Sequence, residues 1–469
     1  MKAGSMRRYI TRRVVNPATA STATPWIWWA NPSALNLFLM VPIYVAASLF
    51  ALAHFPGTAR LQYKGEVGMT LPLFVFGLIC LVSYSLGAFA PSLLPSRSMP
   101  KPRRIPGGVL LLLLAMTLLG YATFFAGALK GGVSQVGDLL HGDTGAVYGI
   151  RKSGQLIAGI SSMVAVGPVF GVGVVLSTFA DSRWRAFFWI SFGFVLVLCL
   201  ARAVIWSERL AIAELLIPSA IVWVLKYGAS VPSVFRPFMF MAPVFAIVVL
   251  LIGFTLGETI RSWPSNVFRY QHNLIQFSID RIVLYYSTAL NNGAGYINLD
   301  VQNPPLVNTF QLFYILESKL PSHFYNFISP VAISDHQVQI ALNYHYSAEF
   351  NNPSGLFSYI SDYGYYFSIP IFFLFGLLVG FIYKRTKGSD LFACAIIPFV
   401  ILGTIEILRI PYLGAGRMTY VYIGLAILFA GILLGERGVK PAAPRGILIQ
   451  RRLTPAQAAL LQTSKGGDN

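Results

Sequence analysis

Ten long apolar runs constrain this chain more than anything else in it. They cover residues 34–54, 69–90, 107–129, 155–180, 184–204, 210–227, 237–257, 366–383, 390–408 and 418–434. Each approaches the roughly 20 residues a helix needs to cross a hydrocarbon core about 30 Å thick. A helix is the element to expect, because lipid offers no partner for backbone N–H and C=O groups and a helix satisfies them within one segment. Composition agrees: the chain is 55% hydrophobic and 11% charged, with a mean hydropathy of +0.64. A soluble domain carries about 25% charged residues. The expectation is an all-α polytopic membrane protein with about ten transmembrane helices.

The runs divide the 469 residues into five parts. Residues 1–33 form a cytoplasmic N-terminal segment, basic at Lys2, Arg7, Arg8, Arg12 and Arg13. It ends in "PWIWWANP", an interfacial aromatic anchor with no apolar core of a signal peptide, so the first span is expected to be an uncleaved anchor. Residues 34–257 hold spans one to seven, 258–365 a long extracytoplasmic loop between spans seven and eight, and 366–434 spans eight to ten. The polar tail, 435–469, returns to the cytoplasm.

Charge sets this orientation. With the N-terminus inside, the inner segments hold 22 of the 35 Lys and Arg residues but only four of the 17 acids. The outer segments balance 13 bases against 13 acids, so the net +18 lies wholly on the inner side. That is the positive-inside distribution. The basic balance is therefore a signature of topology and anionic lipid contact, and no nucleic-acid partner is expected. All six histidines fall outside. A loop as long as 258–365 in a compact chain is usually functional.

Charge also intrudes where it is least welcome. "RAVIWSERLAIAELL", residues 202–216, places Arg202, Glu208, Arg209 and Glu214 between two spans. Glu258 and Arg261, Glu406 and Arg409, and Arg417 stand at other outer openings. An ion inside the bilayer costs about 3 kcal/mol by insertion scales, and it lines a cavity or pairs with another ion. Snorkelling and structural ion pairing at helix ends account for such residues as well as a cationic cavity open to the outer face does. Nine of the 13 outer bases are Arg. The guanidinium fork suits phosphate oxygens better than the point charge of Lys.

The outer loop carries four of the six histidines and, between 270 and 366, twelve of the 23 tyrosines. Tyr suits both an interfacial aromatic belt and a stacking, hydrogen-bonding platform for sugars. Leu274, Phe277, Ile282 and Tyr285 recur at helical spacing, which predicts an amphipathic helix over 274–290, lying on the membrane or capping the bundle. Asn, Gly and Pro at 291–295 and 351–355 predict turns. His323, His336, Asp280, Asp335, Glu349 and Asp362 are candidate proton acceptors near neutral pH.

Several chemistries lack their residues. No Gly-Lys dipeptide occurs, so there is no P-loop. The scattered histidines, with no HExxH and no Asp-x-Asp, offer no metal-ligand spacing, and no cofactor is expected. The first outer loop holds a single acid, Glu66, where polyprenyl-phosphate-sugar transferases commonly carry a pair. Cys80, Cys199 and Cys394 fall inside spans and are expected to be free and buried. Gly167/Gly171 and Gly376/Gly380 form GxxxG pairs that predict close helix packing.

Ser207-Glu208-Arg209 in a short outer turn between two spans, followed by a long outer loop, resembles the bacterial oligosaccharide repeat-unit polymerases (Wzy-type). These make O-antigen, capsule and exopolysaccharide and are related to O-antigen ligases. The loop exit "SGLFSYISDYGYYFSIPIFFLFGLLVGFIYKR" is similar to the family's pattern at Gly355, Tyr359, Asp362, Gly364, Gly376 and Gly380. "YYSTALNNG" resembles its mid-loop segment. The likeness covers pieces of residues 200–385.

The resemblance implies a metal-independent glycosyltransferase of the cytoplasmic (inner) membrane, acting in cell-envelope polysaccharide biosynthesis. Its substrate would be an undecaprenyl-diphosphate-linked oligosaccharide, with membrane lipid and a chain-length regulator protein as partners. Arg209 is the expected catalytic arginine. Arg202, Arg281, Arg409 and Arg417 are expected on the diphosphate, with Asp362 and Tyr285 on the diphosphate or glycan. The base is left among His323, His336 and Glu349. A lipid-linked oligosaccharide flippase or transporter, and an O-antigen ligase, remain alternatives.

Overall fold

The computed structural model describes residues 27–56, 65–95, 104–130, 157, 159–178, 181–206, 210–261, 273–299, 309, 345–346 and 351–437. Among the described residues every regular element is a helix. In chain order these are α1 (Pro32–Leu52), α2 (Leu71–Phe89), α3 (Gly107–Lys130) and α4 (Ser161–Leu176). Then follow α5 (Ser182–Trp206), α6 (Leu210–Tyr227), α7 (Arg236–Phe240) and α8 (Ala242–Arg261). The last four are α9 (Leu274–Asn298), α10 (Gly355–Lys387), α11 (Leu391–Glu406) and α12 (Thr419–Arg437).

Seven helices among the described residues are long and apolar enough to cross a membrane, so this is a multi-pass membrane protein. The number is eight if Ser233–Phe240 and Ala242–Gly253, bent by 56°, count as one broken span. Each of the ten apolar runs falls on a helix, but two helices are shorter than a span: α4 and α11, with 16 residues each. That is about 24 Å at helical rise. Their surroundings explain the length. Every residue of α4 from Gly167 to Leu176 is buried, as are 12 of the 16 in α11. A helix wrapped in protein is apolar on all sides without having to match the lipid thickness.

Two apolar cores hold the bundle. One gathers side chains of α3, α4, α5, α6, α11 and α12; the other gathers α1, α2, α6, α9, α10 and α11. Helices α6 and α11 serve both, and Cys80, Cys199 and Cys394 are free and buried. The tightest seam joins α2 to α10. Gly376 and Gly380 of α10 lie directly on the backbone of Tyr84 and Ala88, and Gly87 of α2 lies on the carbonyl of Phe373. A Cβ at any of the three would collide with backbone, which cannot rotate away.

The stretch expected as a long loop, 258–365, contains a helix of 25 residues. Fifteen of these are buried, against α1, α8 and α10. The amphipathic segment at 274–290 is present as α9, packed into the bundle, and it runs on through "NNGAG" at 291–295, where turns were expected. Tertiary contacts overrule the local signal. The Asn291 carboxamide accepts from the N–H of Gly68 at 2.8 Å and of Met69 at 3.2 Å, and donates to the Glu66 carbonyl at 2.8 Å. Gly293 and Gly295 leave room for Pro353 and Tyr346. Of 351–355, where turns were expected, residues 351–354 are irregular and lead into α10, with Ser354 at φ +56° as its N-cap. Helix α10 starts at Gly355, earlier than residue 366, and breaks at Gly364 with φ +70°.

The basic connections gather at one end of the bundle. Lys384 Nζ donates to the carbonyls of Pro91, Leu94 and Pro95 at 3.0, 2.6 and 3.0 Å. Lys226 Nζ donates to those of Val175, Leu176 and Ser177 at 2.7, 2.8 and 3.1 Å. Both lysines satisfy carbonyls that helix ends leave orphaned, at the negative pole of the helix dipole. Arg385 pairs with the buried Asp390 at 2.5 Å on the same end.

Candidate functional site

The opposite end collects the intrusive charges. Helix α6 enters there with Glu214 one turn in, its side chain 12% exposed. Arg417, at the entry to α12, places Nη1 3.2 Å from Glu214 Oε1, and the Tyr412 hydroxyl donates to the same oxygen at 3.1 Å. Burial first, and then the adjoining Glu214 carboxylate, push the Tyr412 phenol far above its ordinary pKa. It therefore stays protonated and serves as a donor.

A second pair stands beside the first. Glu406 ends α11, where the helix dipole disfavours negative charge. Arg409 answers it at 2.9 Å, with side-chain exposures of 8% for Glu406 and 14% for Arg409. The geometry falls short of a full hydrogen-bond set: among the described residues neither Glu406 Oε2 nor Arg409 Nε has a hydrogen-bond partner. The Arg409 guanidinium lies 4.7 Å over the Tyr285 ring of α9. Arg409 and Arg417 are near enough to repel each other, and Tyr412 feels both Glu214 and Glu406. The two pairs are thus one cluster.

The connection between α11 and α12 sets this geometry. "RIPYLGAGR", residues 409–417, is folded into turns by Arg409 N–H to the Glu406 carbonyl (2.8 Å), Tyr412 N–H to Ile410 (2.8 Å) and Gly414 N–H to Pro411 (3.0 Å). The Leu356 N–H at the start of α10 donates to the Ile407 carbonyl at 2.7 Å. The backbone of the connection is consequently held by its own turns and by the start of α10.

Of the residues nominated from the sequence, Arg409, Arg417 and Tyr285 meet in this cluster. Arg202, half-buried on α5, lies 5.4 Å over the Phe124 ring, and Tyr121 on the next turn of α3 is within electrostatic reach of both Arg202 and Glu214. Arg281, 3% exposed, is one turn before Tyr285 on α9 and lies over Phe277 at 5.6 Å. Asp362 is engaged elsewhere: it accepts from the N–H and hydroxyl of Thr309 at 2.6 and 2.7 Å and so ties that segment to α10. Arg209, His323, His336 and Glu349 lie outside the described residues.

Structural ion pairing, one of the two accounts of these charges, is therefore present at Glu214 and Glu406. Tyr412 and Tyr121 were missed from the sequence. Tyr412 had a signal, since it is an aromatic donor between two arginines in a short turn. Tyr121 had none, being a tyrosine in an apolar run.

At the far end from Glu214, a groove of about 550 Å³ is lined by Trp223, Tyr227, Phe235, Phe238, Met239 and Phe245. None of the clustered charges reaches it. Among the described residues no group of three or more His, Cys, Asp or Glu is placed to hold a metal ion. The chemistry of the cluster suits an anion: two arginines, Arg409 largely buried and Arg417 exposed, each facing one carboxylate and flanked by tyrosines. No family model, curated protein or solved structure matches the chain.

Proposed function

We propose that this chain polymerises undecaprenyl-diphosphate-linked oligosaccharide repeat units at the outer face of the cytoplasmic membrane, with both termini in the cytoplasm. The observation that supports this best is the meeting of Arg409 and Arg417 with Tyr285 and Tyr412 at the end remote from the basic connections. A site of this chemistry suits a lipid-linked diphosphate, whose charge sits at the membrane surface while its glycan extends outward.

In the proposed reaction a hydroxyl of a second lipid-linked unit attacks the anomeric carbon of the growing chain. The bond from that carbon to the diphosphate oxygen breaks, the electron pair leaves with undecaprenyl diphosphate, and the hydroxyl proton passes to a base. A single displacement inverts the anomeric centre. Arg409, Arg417 and Arg202, with Arg209 and Arg281, stabilise charge growing on the leaving oxygen, as preorganised donors do. Tyr285 and Asp362 serve the glycan side, and the base is sought among His323, His336 and Glu349. A chain-length regulator is the proposed protein partner.

Deletion in the source cell, followed by surface-polysaccharide gels, tests this. Single repeat units persisting without long chains support a polymerase. Loss of all surface glycan would assign the chain to a flippase or ligase instead.

A further inference from the structure

We infer that the aromatic groove at the basic end of the bundle binds one anionic phospholipid, its acyl chain lying between α6 and the bend from α7 to α8 and its phosphate at the level of Arg236. The site is independent of the charge cluster at the opposite end and of the polymerase reading.

A break in the chain builds the groove. The helical segments Ser233–Phe240 and Ala242–Gly253 meet at 56°. About 550 Å³ is left between Trp223 and Tyr227 on one side and Phe238, Ala242 and Phe245 on the other. The break frees backbone carbonyls, and two indoles satisfy them. Trp29 Nε1 donates to the Met239 carbonyl at 2.7 Å, and Trp28 Nε1 to that of Phe240 at 3.1 Å. Ile27, Ala30 and Val224 form a small buried core beside these bonds, with Met239 packed on it. The walls are therefore tied to the bundle.

Position and charge name the occupant. Trp223, Phe235, Phe238 and Phe245 are exposed on the outside of the bundle, the side that meets hydrocarbon in a multi-pass protein, so an alkyl chain enters without crossing water. Trp28, Trp29 and Lys226 mark the depth, since indoles and basic residues concentrate where hydrocarbon gives way to headgroups. Residues 215–257 hold Lys226 and Arg236 and no acid. Lys226 Nζ lies 5.0 Å over the ring of Tyr227, and Arg185 is within electrostatic reach of Lys226. Arg236 is exposed between the lining residues Phe235 and Phe238. Lys226 gives its protons to three backbone carbonyls, so it contributes field and not a headgroup hydrogen bond. Attraction of an anionic headgroup to basic residues beside a span is such a field effect. A zwitterionic phospholipid gains from the apolar walls alone; an anionic one gains from walls and field together.

The test is native mass spectrometry of the full-length protein in detergent, stripped of lipid by extended washing. It is then titrated with phosphatidylglycerol or phosphatidylcholine of identical acyl chains. Wild type is expected to retain one phosphatidylglycerol at concentrations where phosphatidylcholine is lost. Arg236→Gln should weaken phosphatidylglycerol binding about fivefold and leave phosphatidylcholine unchanged. Ala242→Trp, which fills the groove, should abolish retention, whereas Val197→Trp, on an exposed face of α5, should not. Equal retention of the two lipids by wild type, or no retained lipid, would overturn the inference. Phosphatidylglycerol held as tightly by Ala242→Trp as by wild type would overturn it too, by placing the lipid elsewhere. So would a wild-type dimer that Ala242→Trp splits, which would make the groove a contact between copies. If Ala242→Trp does not fold, Arg236→Gln decides alone, because its side chain is exposed.

Discussion

Replacing Arg409 by alanine separates structure from chemistry at this site more cleanly than any other single change. In the folded chain the Glu406 carboxylate, 8% exposed, sits at the C-terminal end of α11 with Arg409 2.9 Å away. Deleting only the arginine leaves a buried carboxylate without its counter-ion, which costs about 3–5 kcal/mol. Loss of the guanidinium from the face of Tyr285, 4.7 Å away, adds about 1 kcal/mol. The double replacement Glu406→Gln with Arg409→Met removes the pair as a unit. Neutral residues of similar volume in place of a buried pair are commonly tolerated, so it should unfold within about 1 kcal/mol of wild type. Stability is read from SDS titration of the micellar protein, followed by the fluorescence of its eight tryptophans. Activity is read from glycan length on gels. Both variants should lose long chains, since one donor to developing charge is worth about 3 kcal/mol, or roughly a hundredfold in rate. Full-length glycan from the stable double variant would make Arg409 scaffold only. An Arg409→Ala protein as stable as wild type would refute the buried-pair energetics.

Cysteines introduced into 258–365 should react with a membrane-impermeant thiol reagent in intact spheroplasts, whereas those in 91–106 should not; the reverse pattern would invert the topology. Gly376→Leu should destabilise the bundle by at least the 1–3 kcal/mol typical of overpacking, because its Cβ meets the backbone of Tyr84 and Ala88. A variant with wild-type SDS resistance would contradict the α2–α10 seam. Polymerisation by purified protein with lipid-linked substrate should persist in EDTA. Activity lost in the chelator and restored by a divalent ion would contradict catalysis by arginines alone.

What the sequence by itself determined is whatever a single segment can express. Lipid leaves an apolar run of some 20 residues few choices besides a helix, so each of the ten runs fell on a helix, although α10 starts eleven residues before its run and α9 lies outside all ten. The positive-inside imbalance, likewise additive along the chain, sorted the connections into two sets. Lys226, Lys384 and Arg385 do gather at one end, and Glu214, Arg409 and Arg417 at the other. The preference for Arg at the second end also pointed to the candidate site.

Tertiary structure decided the rest, because it turns on partners far apart in the chain. Asn291–Gly295 reads as a turn in isolation and is helix here, since residues 66–69 and Pro353 supply what its small and polar side chains need. Nothing local to Glu214 indicates that its partner is Arg417, 203 positions away, or that Tyr412 shares its oxygen. Nor does the composition of α4 and α11 reveal that they fall short of a span, since a helix buried in protein is as apolar as one facing lipid. Hydrophobicity is summed along a segment, whereas charge pairing depends on which helix ends meet, and only the packed bundle specifies that.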